Sequence, residues 1–280
     1  MKNIFILFSL LGFSTHAQDL YLSAEGGFGL GDRGYLSGRS VNVFTTSTVY
    51  ENQRGSLGQG IHAGIHFGWQ MTGVIGLDFG AGMIYGLSSQ FQTVDTSSEM
   101  HLQRKAFLVT TSPGVYFRTG TRKFELYLRS AMMIGFLGKI TDDIDLTTHI
   151  AGVNTLYNST EEKTGGISIG FSVTPGVLLK INRRFSVFTQ FSFEHLNYGP
   201  HKGELSKYEI DGSNQLDALN TNSKSFIYEN RVIDDANNSN PDTPHHFSRD
   251  YYSLSNFGLQ IGFRFNFGPG RTWWNSLPRF

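Results

Sequence analysis

Apolar and polar residues alternate at every second position in several stretches of the chain after residue 18. The last stretch is the clearest, because its odd-numbered residues are all Phe, Leu or Ile and its even-numbered residues are Gly or polar. A period of two is typical of a β-strand with one apolar face. The alternation predicts eight strands, at residues 20–30, 60–70, 74–86, 107–118, 124–137, 166–180, 185–196 and 257–267.

The connections between these strands alternate in length. Residues 71–73, 119–123 and 181–184 form short connections, whereas 31–59, 87–106, 139–165 and 197–256 form long ones. Membrane barrels have short periplasmic turns and long extracellular loops, and about 9–11 residues of each strand cross the bilayer. We therefore predict an all-β fold, an antiparallel up-and-down transmembrane barrel of eight strands.

The two ends of the chain differ from the barrel pattern. Lys2, the apolar run 4–13 and the small residues up to Ala17 predict a secretory signal peptide of residues 1–17. The barrel then covers 18–267, and residues 268–280 form a periplasmic tail that contains Trp273 and Trp274. Trp favours the headgroup level of a membrane, which predicts an interfacial anchor, and a contact with a partner protein is the alternative.

Composition narrows the class of protein further. The chain has no Cys, which excludes a disulfide scaffold and a lipid-anchoring cysteine. Its formal net charge is zero, so nothing favours nucleic acid as a partner. No apolar run after residue 17 approaches the roughly 20 residues that a transmembrane helix needs. These features predict a protein of the bacterial outer membrane, surrounded by its lipid.

Two motifs carry a family resemblance. Residues 112–118 read SPGVYFR and residues 255–267 read SNFGLQIGFRFNF. Together with the barrel pattern they resemble the PorT-like outer-membrane β-barrel domain proteins, over most of the mature chain. The resemblance implies the location and the fold, but no particular task, because one fold hosts many functions.

Charged residues fall on the side of the strands that faces the lumen. An eight-stranded barrel leaves room inside for side chains only, and charges removed from water must be paired. We expect a plug of ion pairs, with inward glycines that make room for Arg and Tyr, and a selectivity ring of a small channel is the alternative. The predicted lumen charges are Glu25, Asp78, Arg118, Glu125, Arg129, Lys180, Glu194 and Arg264.

Enzymatic and metal chemistry find little support. The sequence around His195 is similar to the His-x-Ser-Asn motif of lipid A deacylases, but no serine stands two residues after it. The acidic run at Asp142, Asp143 and Asp145, and the pair His245–His246 with Asp250, match no known ligand spacing, so solvated loop charge is expected. We predict a non-enzymatic protein with no metal site and no cofactor. A lipid-modifying enzyme remains the alternative.

The longest loop, 197–256, combines polar stretches such as 235–240 with aromatic residues. Polar runs of this kind form no core of their own, whereas aromatics with a polar tip are favoured at contact surfaces. We predict that this loop, helped by 31–59, is a recognition surface held by the barrel, acting alone or as a subunit of a larger envelope complex, and an unspecific mobile loop is the alternative. The recognition candidates are Tyr198, Tyr208, Phe226, Tyr228, Tyr251 and Tyr252.

Overall fold

The computed structural model describes residues 19–32, 36–43, 48–95, 97–150, 152–232 and 240–267. The predicted signal peptide and periplasmic tail, and most of the polar run 235–240, lie outside these residues. The strands are, in chain order, β1 Asp19–Gly31, β2 Leu36–Val43, β3 Thr48–Arg54, β4 Gly60–Gln70, β5 Ile75–Gly86, β6 Ser89–Val94, β7 Ser98–Gly120, β8 Phe124–Ile150, β9 Val153–Thr164, β10 Ser168–Lys180, β11 Phe185–Tyr198, β12 Lys202–Ile210, β13 Ser213–Asn214, β14 Ser225–Glu229, β15 His245–Ser248, β16 Tyr252–Ser253 and β17 Asn256–Asn266. A 3-10 turn covers Leu216–Ala218, and a one-turn α-helix covers Thr221–Lys224.

Eight of the strands close into a barrel in which every neighbouring pair is antiparallel. The ring runs β1, β4, β5, β7, β8, β10, β11 and β17, and β17 pairs with β1 to complete it. The predicted fold is confirmed, and β4 has the bounds that the alternation gave. No helix among the described residues is long and apolar enough to cross a membrane.

The barrel exterior is apolar and exposed, and its interior is polar and buried. On β4, for example, Ile61, Ile65 and Phe67 are about half exposed, whereas His62 and His66 are 4% and 5% exposed. An aqueous solvent would not tolerate such a continuous apolar band, but a bilayer requires it. The strands therefore span a membrane, with their outward residues in contact with lipid.

The segments predicted as long connections contain further strands. β7 and β8 continue well past the barrel rim as one hairpin, and they pair there with β6 and β9. β12, β14 and β15 widen this sheet at the β9 side. We call this part the extracellular extension: β6, residues 98–106 of β7, residues 139–150 of β8, β9, β12, β14 and β15. The predicted bounds 107–118 and 124–137 are therefore too short for β7 and β8, because the backbone groups beyond the rim also pair in ladders.

A β-bulge joins the barrel to the extension. The register of β7 against β8 shifts between Phe107 and Val109, and opposite this point Leu137 has a positive φ of 52°. An extra residue in one strand reverses which residues face inward. The buried residues of β8 accordingly change from odd numbers, such as Met133, to even numbers, such as Ile140.

Candidate functional site

A buried ion pair crosses the barrel near its middle. Arg129 on β8 reaches Glu25 on β1, on the opposite side of the ring, with Nη2–Oε1 and Nη1–Oε2 distances of 3.1 and 3.4 Å. His66 lies between two carboxylates, 3.1 Å from Glu25 and 2.9 Å from Asp78. Gln190 donates a further hydrogen bond of 2.9 Å to Glu25. Since charges out of water must be paired, this cluster ties opposite walls of the barrel together.

Arg264 fills the periplasmic half of the lumen. Its guanidinium lies 4.0 Å from the centre of the Tyr21 ring and 4.7 Å from that of Tyr116, a cation–π arrangement. It also donates to the Tyr116 hydroxyl at 2.6 Å, and this hydroxyl donates to Glu125 at 3.2 Å. Lys180 approaches the same carboxylate to 2.8 Å. The lumen is therefore packed with aromatic rings and paired charges at this end.

Inward glycines make room for the large side chains. A Cβ at Gly68 would overlap the Tyr21 ring, and one at Gly176 would overlap the Tyr127 ring. A larger residue at either position would force the neighbouring ring to shift. The glycines on the inner rows are thus part of the packing and not merely flexible points.

The extracellular half of the lumen narrows to a small cavity under an apolar lid. Glu194 lies 3.3 Å from His62 and accepts a 3.0 Å hydrogen bond from Asn256. The cavity beside them measures about 40 Å³, which accommodates a few water molecules. Buried apolar side chains from the barrel wall and the segments over it form one cluster at this end of the lumen, which we call the apolar lid. They are Leu57, Ile84, Ala106, Leu108, Met133, Ile140, Leu196, Tyr198 and Leu254.

All eight charges predicted for the lumen lie on the inner side of the barrel strands. Arg118 and Lys180 stand at the periplasmic mouth, where Arg118 Nη1 is 3.7 Å from Glu125. Five others are buried within the barrel, namely Asp78, Glu125, Arg129, Glu194 and Arg264. The side chain of the eighth, Glu25, is 6% exposed. His62 and His66 were not among the predicted lumen charges, although the alternation along residues 60–70 places both on the inward side.

A second buried charge network lies in the extracellular extension. Asp142 accepts hydrogen bonds from Arg104 Nε and Nη2, at 2.6 and 2.7 Å, and from Lys163 Nζ at 2.8 Å. Arg104 also stacks on the Tyr252 ring at 4.7 Å. Burial alone would raise the pKa of Asp142, but the bonds from Arg104 and the charge of Lys163 outweigh it and lower the pKa. Burial likewise opposes the charge of Lys163, yet the nearby Asp142 raises the pKa of this amine.

The two faces of the extension differ sharply in chemistry. Directly opposed residues of neighbouring strands share a face, so the register assigns each residue. The inner face continues from the lumen side, and beyond the buried network it presents Met100, Leu102, Ile144, Leu146, Tyr157, Tyr208 and Ile210. The outer face is polar and presents His101, Gln103, Lys105, Asp143, Asp145, Asn158, Thr160, Glu162, Glu204, Lys207 and Glu209.

The apolar inner face is only half-buried. None of its seven residues belongs to either buried apolar cluster of the described residues. A sheet normally covers an apolar face with another layer. The inner face is thus a largely apolar surface outside the membrane, interrupted by Ser159 between Ile144 and Tyr208, on the sheet that contains the Asp142 network.

The six recognition candidates differ in how far they are exposed to solvent. Tyr198 and Tyr228 are 1% and 8% exposed, so the structure places them in the interior, where they offer no contact surface. Tyr252 is half-buried in the Asp142 network. Tyr208 and Phe226 remain half-exposed, Phe226 against the ring of Phe247, and Tyr251 is 63% exposed.

The acidic run and the histidine pair form no metal-binding arrangement. Among the described residues no three His, Asp or Glu side chains are placed to hold a metal ion. Asp145 is exposed and Asp143 is half-exposed, as expected for solvated charge. For Asp142 that expectation is wrong, since it is 1% exposed and forms ion pairs with Arg104 and Lys163.

A hydroxyl does lie beside His195. Ser255 Oγ is 3.2 Å from His195 Nδ1, although the two residues are 60 positions apart and no sequence motif joins them. Ser255 is fully buried, and its Oγ also accepts the Leu196 amide hydrogen bond. The His195 ring packs on Phe171 at 5.4 Å. A nucleophile must be reachable by its substrate, so this pair does not favour hydrolase chemistry.

No family model and no curated protein matches the chain. Among solved structures it is similar to neisserial surface protein A, with 9% identity, 89% of this chain and 97% of that chain covered, and a TM-score of 0.34. Ail, the attachment invasion locus protein of Yersinia pestis, has 10% identity, coverage of 89% and 99%, and a TM-score of 0.32. The outer membrane protease OmpT of Escherichia coli has 11% identity, coverage of 89% and 96%, and a TM-score of 0.31. The resemblance to the PorT-like proteins stays a prediction.

Proposed function

We propose that this chain is a non-enzymatic outer-membrane protein whose barrel serves as a rigid, filled holder for an extracellular recognition surface. The filled lumen is supported by the Glu25–Arg129 pair across the ring, the tyrosines stacked around Arg264 and the apolar lid. A barrel packed in this way leaves no continuous aqueous path. Transport through the lumen is therefore not its task.

The observation that carries the recognition role is the apolar inner face of the extension. Seven aliphatic, Met and Tyr side chains lie there half-buried and outside both buried apolar clusters of the described residues, and the charged outer face lies directly behind them. Exposed apolar surface of this kind marks interaction sites. The partner is an envelope or external protein that presents an apolar segment, and Tyr208 contributes a hydrogen-bonding rim.

A pair of adjacent positions tests the proposal. A photo-crosslinking residue is placed at Leu146, on the inner face, or at Asp145, on the outer face, and whole cells are irradiated. The proposal expects a discrete protein adduct from position 146 and none from position 145. Equal labelling from both positions, or no adduct from 146, would overturn it.

The location has its own test. Fractionated cells should yield the protein in the outer membrane, and the band of the unboiled protein on a gel should shift on boiling. Recovery as a periplasmic protein that needs no detergent would contradict the proposed location.

A further inference from the structure

A cluster of basic and aromatic side chains stands on the lipid-facing side of the barrel, directly above the apolar band. The outward residues of β11 include Phe191, Phe193 and His195, and Gly199, which is buried, follows the last residue of the strand. A Cβ at Gly199 would touch Tyr251 Cε1 at 2.8 Å and Arg249 Cδ at 3.0 Å. Arg249 and Tyr251 therefore cover the outer side of the chain where the barrel wall ends.

The apolar band reaches up to this cluster on the neighbouring strand. Ile167, just before β10, and Ile169, within it, are 72% and 70% exposed. Gly166 contacts the backbone of Gly199, and Gly165 lies 3.4 Å, measured from an added Cβ, from His201 Cβ. The cluster thus lies at the level where hydrocarbon gives way to lipid headgroups. Tyr251, 63% exposed with its hydroxyl bonded to Asn230, is the residue type favoured at that level.

Arg249 carries a charge that no carboxylate neutralises within the described part of the chain. Its Nε and Nη2 donate to the Tyr228 carbonyl oxygen at 3.2 and 2.9 Å, and Nη2 also lies 3.0 Å from His201 Nδ1. These bonds fix the guanidinium and leave Nη1 without a bond to a described residue. A fixed guanidinium with free donors is suited to a phosphate group.

The outer face of the extension also carries positive charge on its side nearest the membrane. The cross-strand row next to the barrel contains Lys139, Thr164 and Lys202, whereas Glu162 and Glu204 lie one row farther out. Lys139 pairs with Glu162 at 2.8 Å, and exposed Lys202 has no ion-pair partner among the described residues. Cations therefore lie nearest the membrane and carboxylates point away from it.

We propose that Arg249 and Lys202, with His201 and Tyr251, form a rim site that binds the phosphate of an anionic lipid headgroup in the outer leaflet. Arg249 pairs with the phosphate oxygens, Lys202 adds a second positive charge on the side of the extension nearest the membrane, and Tyr251 packs at the headgroup level. The site is continuous with the lipid-facing band and distinct from the inner face of the extension. The inference rests on the membrane location within the proposed function, and it goes beyond the recognition role.

The test measures retention of phosphatidylglycerol by the folded protein in nonionic detergent, using native mass spectrometry. The double variant Arg249→Gln, Lys202→Gln should bind this lipid about 10- to 30-fold more weakly, because it lacks two cations that each attract the anionic headgroup. The control Lys207→Gln, Lys224→Gln removes the same charge away from the rim and should change the affinity by less than about twofold. Equal retention by both variants would overturn the site.

Two further measurements distinguish lipid from free phosphate as the ligand, and failure of the rim site from failure of the proposed barrel. Inorganic phosphate is added as a competitor, and competition as effective as that of the lipid would assign the site to free phosphate and overturn the lipid proposal. Both variants are checked for the gel shift on boiling and for crosslinking at position 146. A normal result there with unchanged lipid binding refutes the rim site alone, whereas loss of the gel shift in the unmodified protein refutes the proposed barrel.

Discussion

Replacement of Asp142 by Asn removes the charge at the most buried carboxylate of the extension while it keeps the shape of the side chain. Arg104 and Lys163 then remain in the interior without their main counter-charge. Breaking a buried pair in this way costs about 3–5 kcal/mol. Glu161 remains 3.4 Å from Lys163, so we expect the lower end of this range, about 3 kcal/mol.

Hydrogen–deuterium exchange of the folded protein in micelles measures this loss. Amides in 98–106 and 139–164 should exchange about 100-fold faster in Asp142→Asn, because 1.4 kcal/mol is a factor of ten in the opening equilibrium. Amides of β4, inside the barrel, should be unaffected.

Asp143→Asn is the matched control for this experiment. Asp143 is the next residue, on the outer face, and pairs with Lys105 at 3.4 Å in a partly exposed site. Such a pair contributes at most about 1 kcal/mol. Equal acceleration in both variants, or none in Asp142→Asn, would refute the view that the buried network holds the extension in shape.

Two other predictions follow from the same contacts. Gly68→Ala should destabilise the folded barrel by about 1–3 kcal/mol, seen as a gel shift lost at a lower temperature, because its Cβ would overlap the Tyr21 ring, whereas Gly64→Ala, whose Cβ meets nothing closer than 3.4 Å, should unfold at the same temperature as the unmodified protein; equal stability of the two variants would contradict the packing. The pKa of Asp142 is lower in the folded protein than in the unfolded chain. Its ionised carboxylate therefore contributes fully to the stability of the extension above about pH 4, and this contribution is lost as the pH falls through the pKa of the folded protein. The pKa of Lys163 is higher in the folded protein than in the unfolded chain. Its charged amine therefore contributes fully to the stability of the extension below about pH 10, and this contribution is lost as the pH rises through the pKa of the folded protein. Exchange protection of 139–164, corrected for intrinsic rates, should therefore be constant from about pH 5 to 9, and a drop within this window would refute the assignment.

The barrel could be predicted from the sequence because its physics is local. Each strand has lipid on one side and packed polar groups on the other, so alternation along β4 or β17 marks both the strand and its inward residues. Pro113, which cannot donate to a ladder, still lies within β7, on its lipid-facing side.

The extension was hidden by the bulge at Leu137 and by its charged outer face. The bulge reverses which residues of β8 face inward, so the alternation of 124–137 breaks there, and the residues beyond it resemble a polar loop. Pairing with β12 joins residues about 40 positions apart, such as Lys163 and Gly203, and no local pattern signals this. The Ser255–His195 contact was missed for the same reason, because only the closed fold brings these segments together.

The filled lumen is the central claim, and conductance in planar bilayers tests it most directly. Purified, folded protein should give no stable current steps, because Arg129 and Glu25 bridge the ring and an apolar lid covers the remaining cavity of about 40 Å³. Steady ion-selective steps that disappear on substitution of Arg129 or Glu125 would contradict the account and show that these charges line an open pore.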